Sequence, residues 1–132
     1  VSIQAQVINL IKMLKEKCNI TFLLITHDLS VIKYLADRVA IMYLGEIVEI
    51  GKTNDVFKNP LHPYTKALLN SAPQIDKKQD KKIILKGDLP SPANLPKGCK
   101  FHTRCPKVME KCKNGIPDEK GALHKVRCFL YE

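Results

Sequence analysis

A chain of 132 residues has room for one modest hydrophobic core and a small appendage. Its net charge of +9 is uneven: residues 1–60 hold seven basic and six acidic groups, so almost all of the excess falls in the second half. No apolar run approaches the length of a membrane span and no signal-peptide pattern comes first, so a cytosolic setting is expected.

Ile3, Val7, Leu10, Ile11 and Leu14 recur at helical spacing, with Gln4, Lys12, Lys15 and Glu16 opposite, which predicts an amphipathic helix over residues 2–17 with Ser2 placed to cap it. The pattern is already running at Val1, so the chain reads as a segment of a longer protein. Cys18 reads as a small buried apolar residue. Thr21–Thr26 (Thr-Phe-Leu-Leu-Ile-Thr) then reads as a strand buried on both faces, as in parallel sheets covered by helices. Ligands in such sheets sit beyond the strand ends, and His27 stands there. A histidine in that position has two readings, a hydrogen-bonded structural residue or a chemical one.

Asp28 precedes Leu29–Ala36 and is placed to accept the free amide hydrogens of a helix's first turn. Residues 38–43 and 46–50 read as two antiparallel strands around Leu44-Gly45, closed by Gly51. Thr53 is placed to cap a short helix ending at Asn59-Pro60, and Pro63 to open another running to about Ser71. The expected class is therefore α/β, in the order helix, strand, helix, strand, strand.

From Gln74 to Lys86 come five lysines, and Pro90, Pro92 and Pro96 follow. Such a stretch cannot order itself as an independent core, so residues 72–98 read as a linker, with Ile83-Ile84-Leu85 a candidate short strand. That divides the chain into 1–71, the linker 72–98 and a cysteine-rich extension, 99–132. The basic half suits nucleic acid, a membrane surface or simple solubility. A basic metal-cluster module engaging nucleic acid or a protein partner is one function class, although the basic stretch lacks the interleaved aromatics that stack bases.

Four of the five cysteines, Cys99, Cys105, Cys112 and Cys128, fall in the last 34 residues. A segment so poor in large apolar residues needs a staple. Disulfides suit a cytosolic setting poorly. Zinc can take four thiolates, or three with His102 or His124, but the Cys-x-x-Cys knuckle is missing. An iron–sulfur cluster also takes four thiolates and tolerates wider spacing. On residue chemistry alone both metals stay open.

The motifs Leu24-Ile25-Thr26-His27-Asp28-Leu29, Ala36-Asp37-Arg38-Val39 and Met42-Tyr43-Leu44-Gly45-Glu46-Ile47-Val48-Glu49 together resemble the switch-histidine region of ATP-binding cassette ATPases. Val1–Gln6 is similar to the segment just after their D-loop. Asn59-Pro60-Leu61-His62-Pro63-Tyr64-Thr65 resembles the marker of the branch that powers oligopeptide, dipeptide and nickel importers. Gly87–Pro92 and Gly98–Pro106 resemble that branch's C-terminal extension.

The resemblance implies the C-terminal part of a P-loop ATPase domain, an ATP-binding subunit driving peptide import, with nickel the alternative cargo. It implies that His27 contacts the γ-phosphate of ATP bound with magnesium, and that Cys99, Cys105, Cys112 and Cys128 hold a 4Fe–4S cluster in preference to zinc. It also implies a second ATPase subunit, membrane permease subunits and, indirectly, a peptide-binding protein as partners, no nucleic acid, and a place at the cytoplasmic face of the cell membrane. The Gly-x-x-x-x-Gly-Lys-Ser/Thr loop, the signature motif and the strand bearing the catalytic glutamate are all missing from these residues. The chain by itself is expected not to hydrolyse ATP.

Overall fold

The computed structural model describes residues 2–72, 83 and 85–132, in two compact units, 1–37 and 38–132. In the first unit, helix α1 (Ile3–Cys18) starts after Ser2, whose side chain makes no capping bond, and ends at Asn19 in the left-handed conformation. Asp28 caps helix α2 (Leu29–Leu35) as the sequence predicts, its Oδ1 accepting from the N–H groups of Ser30 at 2.8 Å and Val31 at 3.3 Å. Lys15 joins the two helices by pairing with Asp37 at 2.6 Å and donating to the Leu35 carbonyl at 3.1 Å.

Two expectations fail in this unit. Residues 21–26 form no strand, and Leu23 and Ile25 are 92% and 89% exposed. A strand buried on both faces needs strands on either side and helices above and below, and the described residues of this unit supply no neighbouring strand. Cys18, expected inside, is exposed.

The second unit is built on a four-stranded antiparallel sheet. β1 (Arg38–Tyr43) and β2 (Glu46–Lys52) form the predicted hairpin, and β4 (Lys125–Arg127) and β3 (Glu119–Lys120) extend it in the order β1-β2-β4-β3. Leu44 and Gly45 both have positive φ, 46° and 81°, as the tight hairpin turn of primed type demands. β1 alternates cleanly, burying Val39, Ile41 and Tyr43.

β2 does not alternate. Its register against β1 shifts between Ile41 and Met42, so Ile41 faces Glu49 and Met42 faces Ile47. That bulge turns two consecutive residues, Val48 and Glu49, inward.

Helix α3 (Thr53–Lys58) begins with Thr53 as its first residue, Lys52 occupying the capping position. Helix α4 (Pro63–Ser71) starts on the predicted proline and buries Thr65, Ala67 and Leu69. Ile84 of the candidate strand 83–85 lies outside the described residues. Helix α5 (Glu110–Asn114) carries Cys112, and a short 3-10 turn (Phe129–Tyr131) closes the chain. No helix among the described residues is long and apolar enough to cross a membrane.

Candidate functional site

The bulge in β2 brings the carboxylate of Glu49 fully inside, where it must find donors. It has three. Oε1 accepts from the Leu61 N–H at 2.9 Å, Oε2 from the His62 N–H at 2.8 Å, and His124 Nε2 lies 2.7 Å from Oε1. His62, 1% exposed, caps α4 by accepting the Tyr64 N–H on Nδ1 at 3.1 Å, so its neutral ring holds the proton on Nε2. Burial lowers the His62 pKa to about 4, against the pull of the Glu49 charge and with a smaller push from Lys66.

Phe101, 1% exposed, packs against this assembly. Its ring centre lies 5.1 Å from Tyr43, edge to face, 5.4 Å from His62 and 5.5 Å from Tyr64, while Tyr43 and Tyr64 are 4.8 Å apart. Burial, then the neighbouring Tyr43, raises the Tyr64 pKa, and the Arg104 charge opposes them. The preceding residue, Lys100, donates to the Leu44 carbonyl at 3.3 Å and pairs with Glu46 at 3.0 Å, clasping the hairpin turn. Tyr131 donates its hydroxyl to the Leu61 carbonyl at 2.9 Å.

Phe101 lies inside a turn bounded by two cysteines. The His102 N–H donates to the Cys99 carbonyl at 2.9 Å, Arg104 to Phe101 at 3.0 Å and Cys105 to His102 at 3.4 Å. The Cys99 N–H donates across to the Cys112 carbonyl at 2.9 Å. None of the four forms a disulfide, and Cys112 Sγ accepts the Met109 N–H at 3.5 Å. Burial raises the pKa of Cys99, Cys105 and Cys128, and each also feels the charge of others in the set: Cys99 that of all three, Cys105 that of Cys128 and Cys112, and Cys128 that of Cys112. The thiols thus share one electrostatic neighbourhood. Among the described residues, however, no group of three or more His, Cys, Asp or Glu side chains stands close enough to hold a single metal ion.

The two histidines weighed as zinc ligands are engaged elsewhere. His124 is held by Glu49, and His102 Nδ1 lies 2.9 Å from the Cys99 carbonyl. His27, in the first unit, is exposed in a bend after Thr26, whose Oγ1 accepts the Asp28 N–H at 3.0 Å. The structure therefore gathers the four cysteines in the second unit and leaves His27 in the first.

Sequence reasoning missed Glu49 and gave His62 no role. The available signals were a lone carboxylate between Val48 and Ile50, and a histidine directly before a helix-opening proline.

Comparison with known proteins agrees with the motif reading. Residues 48–112 match the family described as the oligopeptide/dipeptide transporter, C-terminal region. The chain is 54% identical, over 99% of its length, to 41% of the oligopeptide transport ATP-binding protein AppF of Bacillus subtilis. It is 52% identical, over its whole length, to 41% of AppD of the same organism. Over 89% of its length it is 48% identical to 37% of a putative peptide import ATP-binding protein of Brucella ovis. The chain spans about two fifths of the length of these relatives. On motifs and comparisons together, residues 48–112 are similar to the C-terminal region of oligopeptide/dipeptide transporters, and essentially the whole chain is similar to about two fifths of oligopeptide transport ATP-binding proteins.

Proposed function

We propose that this chain is part of an ATP-binding subunit that powers peptide import across the cytoplasmic membrane. The observation that carries the reading is identity of about half to oligopeptide transport ATP-binding proteins along essentially the whole chain. In this reading residues 1–71 complete a P-loop ATPase domain. The exposed apolar segment 21–26 takes its place between strands supplied by the rest of that domain, and His27 at its end donates to the γ-phosphate of ATP bound with magnesium. The partners are a second ATPase subunit and membrane permeases, with a peptide-binding protein beyond them, and the subunit works at the cytoplasmic face of the membrane.

The test is ATP hydrolysis by the full-length subunit assembled with its permeases. His27→Ala should lower turnover roughly 100-fold while nucleotide binding changes only a few-fold. Unchanged turnover would refute the role of His27.

The extension 99–132, joined by residues 72–98, is proposed to hold a 4Fe–4S cluster on Cys99, Cys105, Cys112 and Cys128. Four thiols free of disulfides suit that group in number and chemistry, and the resemblance of Gly98–Pro106 to the branch's extension favours it over zinc. When bound, the cluster supplies a four-point staple and a one-electron centre. The surrounding residues bury Cys112 and Cys128, half-bury Cys99 and Cys105, and hold the Cys99–Cys105 turn against β1 and α4 through Phe101. Anaerobically prepared protein should be brown, with broad visible absorption that Cys105→Ser abolishes. A colourless protein with stoichiometric zinc would exclude the cluster.

A further inference from the structure

We propose that residues 124–131 form a strap and that the turn before α4 is its seat, the two opening and closing as one unit. In that turn Leu61 and His62 have every backbone donor and acceptor engaged. Both N–H groups go to Glu49, the Leu61 carbonyl takes the Tyr131 hydroxyl at 2.9 Å, and the His62 carbonyl takes the Lys66 N–H at 3.0 Å. Nδ1 of the buried His62 ring is engaged as well, by the Tyr64 N–H. A turn used in this way is built to receive another part of the chain, and the part it receives is the C-terminal segment. The stretch Asn59–Thr65, distinctive in sequence, thereby gains a role.

The strap is fastened at both ends. At its head His124 Nε2 reaches Glu49 Oε1, and the His124 ring lies on the bare face of Gly51, where a Cβ would stand 3.0 Å from His124 Cδ2, 3.2 Å from its Cγ and 3.2 Å from Val56 Cγ2. Val56 is fully buried and has nowhere to swing, so this socket depends on glycine at position 51. At its tail the exposed Tyr131 reaches Leu61. Between the ends β4 pairs with β2 at only two positions, Val126 with Glu49 and Lys125 with Ile50, a ladder too short to hold by itself. Because Glu49 also takes the Leu61 N–H, the contacts close a circuit: His124 to Glu49, Glu49 to Leu61, Leu61 to Tyr131, and back along the strap. Each link is a hydrogen bond of modest net worth, and each holds the next in place. The circuit is complete in the chain's own side chains.

Amide hydrogen exchange on the full-length subunit tests this. Tyr131→Phe removes one hydroxyl and keeps the ring, so the fold survives it. It should speed exchange roughly threefold or more at residues 61–66 and also at 49–51 and 124–127, the far side of the circuit, while α1 keeps its wild-type rate. Gly51→Ala, which acts at the other end, should speed the same three segments roughly tenfold, and His124→Gln replaces it if the alanine variant does not fold. Acceleration confined in each variant to the residues beside the substitution would overturn the strap, because the contacts would then be independent. Unchanged exchange in Tyr131→Phe at residues 61–66 would overturn it as well.

Discussion

Glu49 Oε1 lies 2.7 Å from His124 Nε2, while the same carboxylate takes the N–H groups of Leu61 and His62, so one buried side chain fastens β2, the turn before α4 and the residues before β4. Truncating it strands two backbone donors and the histidine. Glu49→Ala should therefore destabilise the second unit by about 3 kcal/mol or more, and Glu49→Gln, which keeps the acceptor oxygen, by clearly less. Urea denaturation compares the two; equal losses would mean that volume, and not the donors, sets the cost.

Lys100 provides the contrast. Its pair with Glu46 is partly exposed, side chains 21% and 33% accessible, so Lys100→Met should cost about 1 kcal/mol or less in the same measurement. A larger loss would show that the strained Leu44 turn depends on the clasp.

The buried His62 makes stability fall in acid. Its folded pKa of about 4 lies below the ordinary 6.5, so between those values the unfolded chain takes up a proton that the folded chain refuses. The penalty is absent above pH 6.5, grows as pH falls, and reaches about 3 kcal/mol near pH 4. His62→Asn should flatten the slope in this window. Retention of the full slope in that variant would assign it to other groups.

Gly98, directly before Cys99, has φ of 67°, and a Cβ there would stand 2.5 Å from the Cys112 carbonyl oxygen and 2.7 Å from the Lys113 carbonyl carbon. Backbone cannot yield as a flexible side chain can. Gly98→Ala should cost about 2 kcal/mol or more, read by thermal melting. A variant that melts as the wild type does would show that the backbone yields at this approach.

Where a local rule governs, the sequence foretold the structure. The 3.6-residue period gave α1, Asp28 gave the cap of α2, Leu44-Gly45 gave the hairpin turn and Pro63 gave the start of α4. What failed depends on partners distant in sequence. Residues 21–26 have the composition of a buried strand, but a strand is made by its neighbours, and composition does not supply them. Glu49 reads as an outward polar residue until the bulge shifts the register by one, and no single residue announces that shift. The cysteines were legible as a set, whereas the seat of Phe101 between them appears only once β1, α4 and the turn meet.

Transport by the full-length subunit tests the proposed part in ATP-driven peptide import. Vesicles carrying the full-length subunit, its partner ATPase and the permeases, supplied with binding protein and a labelled oligopeptide, should accumulate peptide only when ATP is present on the subunit's side. His27→Ala should abolish that accumulation. Uptake that ignores ATP, or that survives His27→Ala undiminished, would contradict the account.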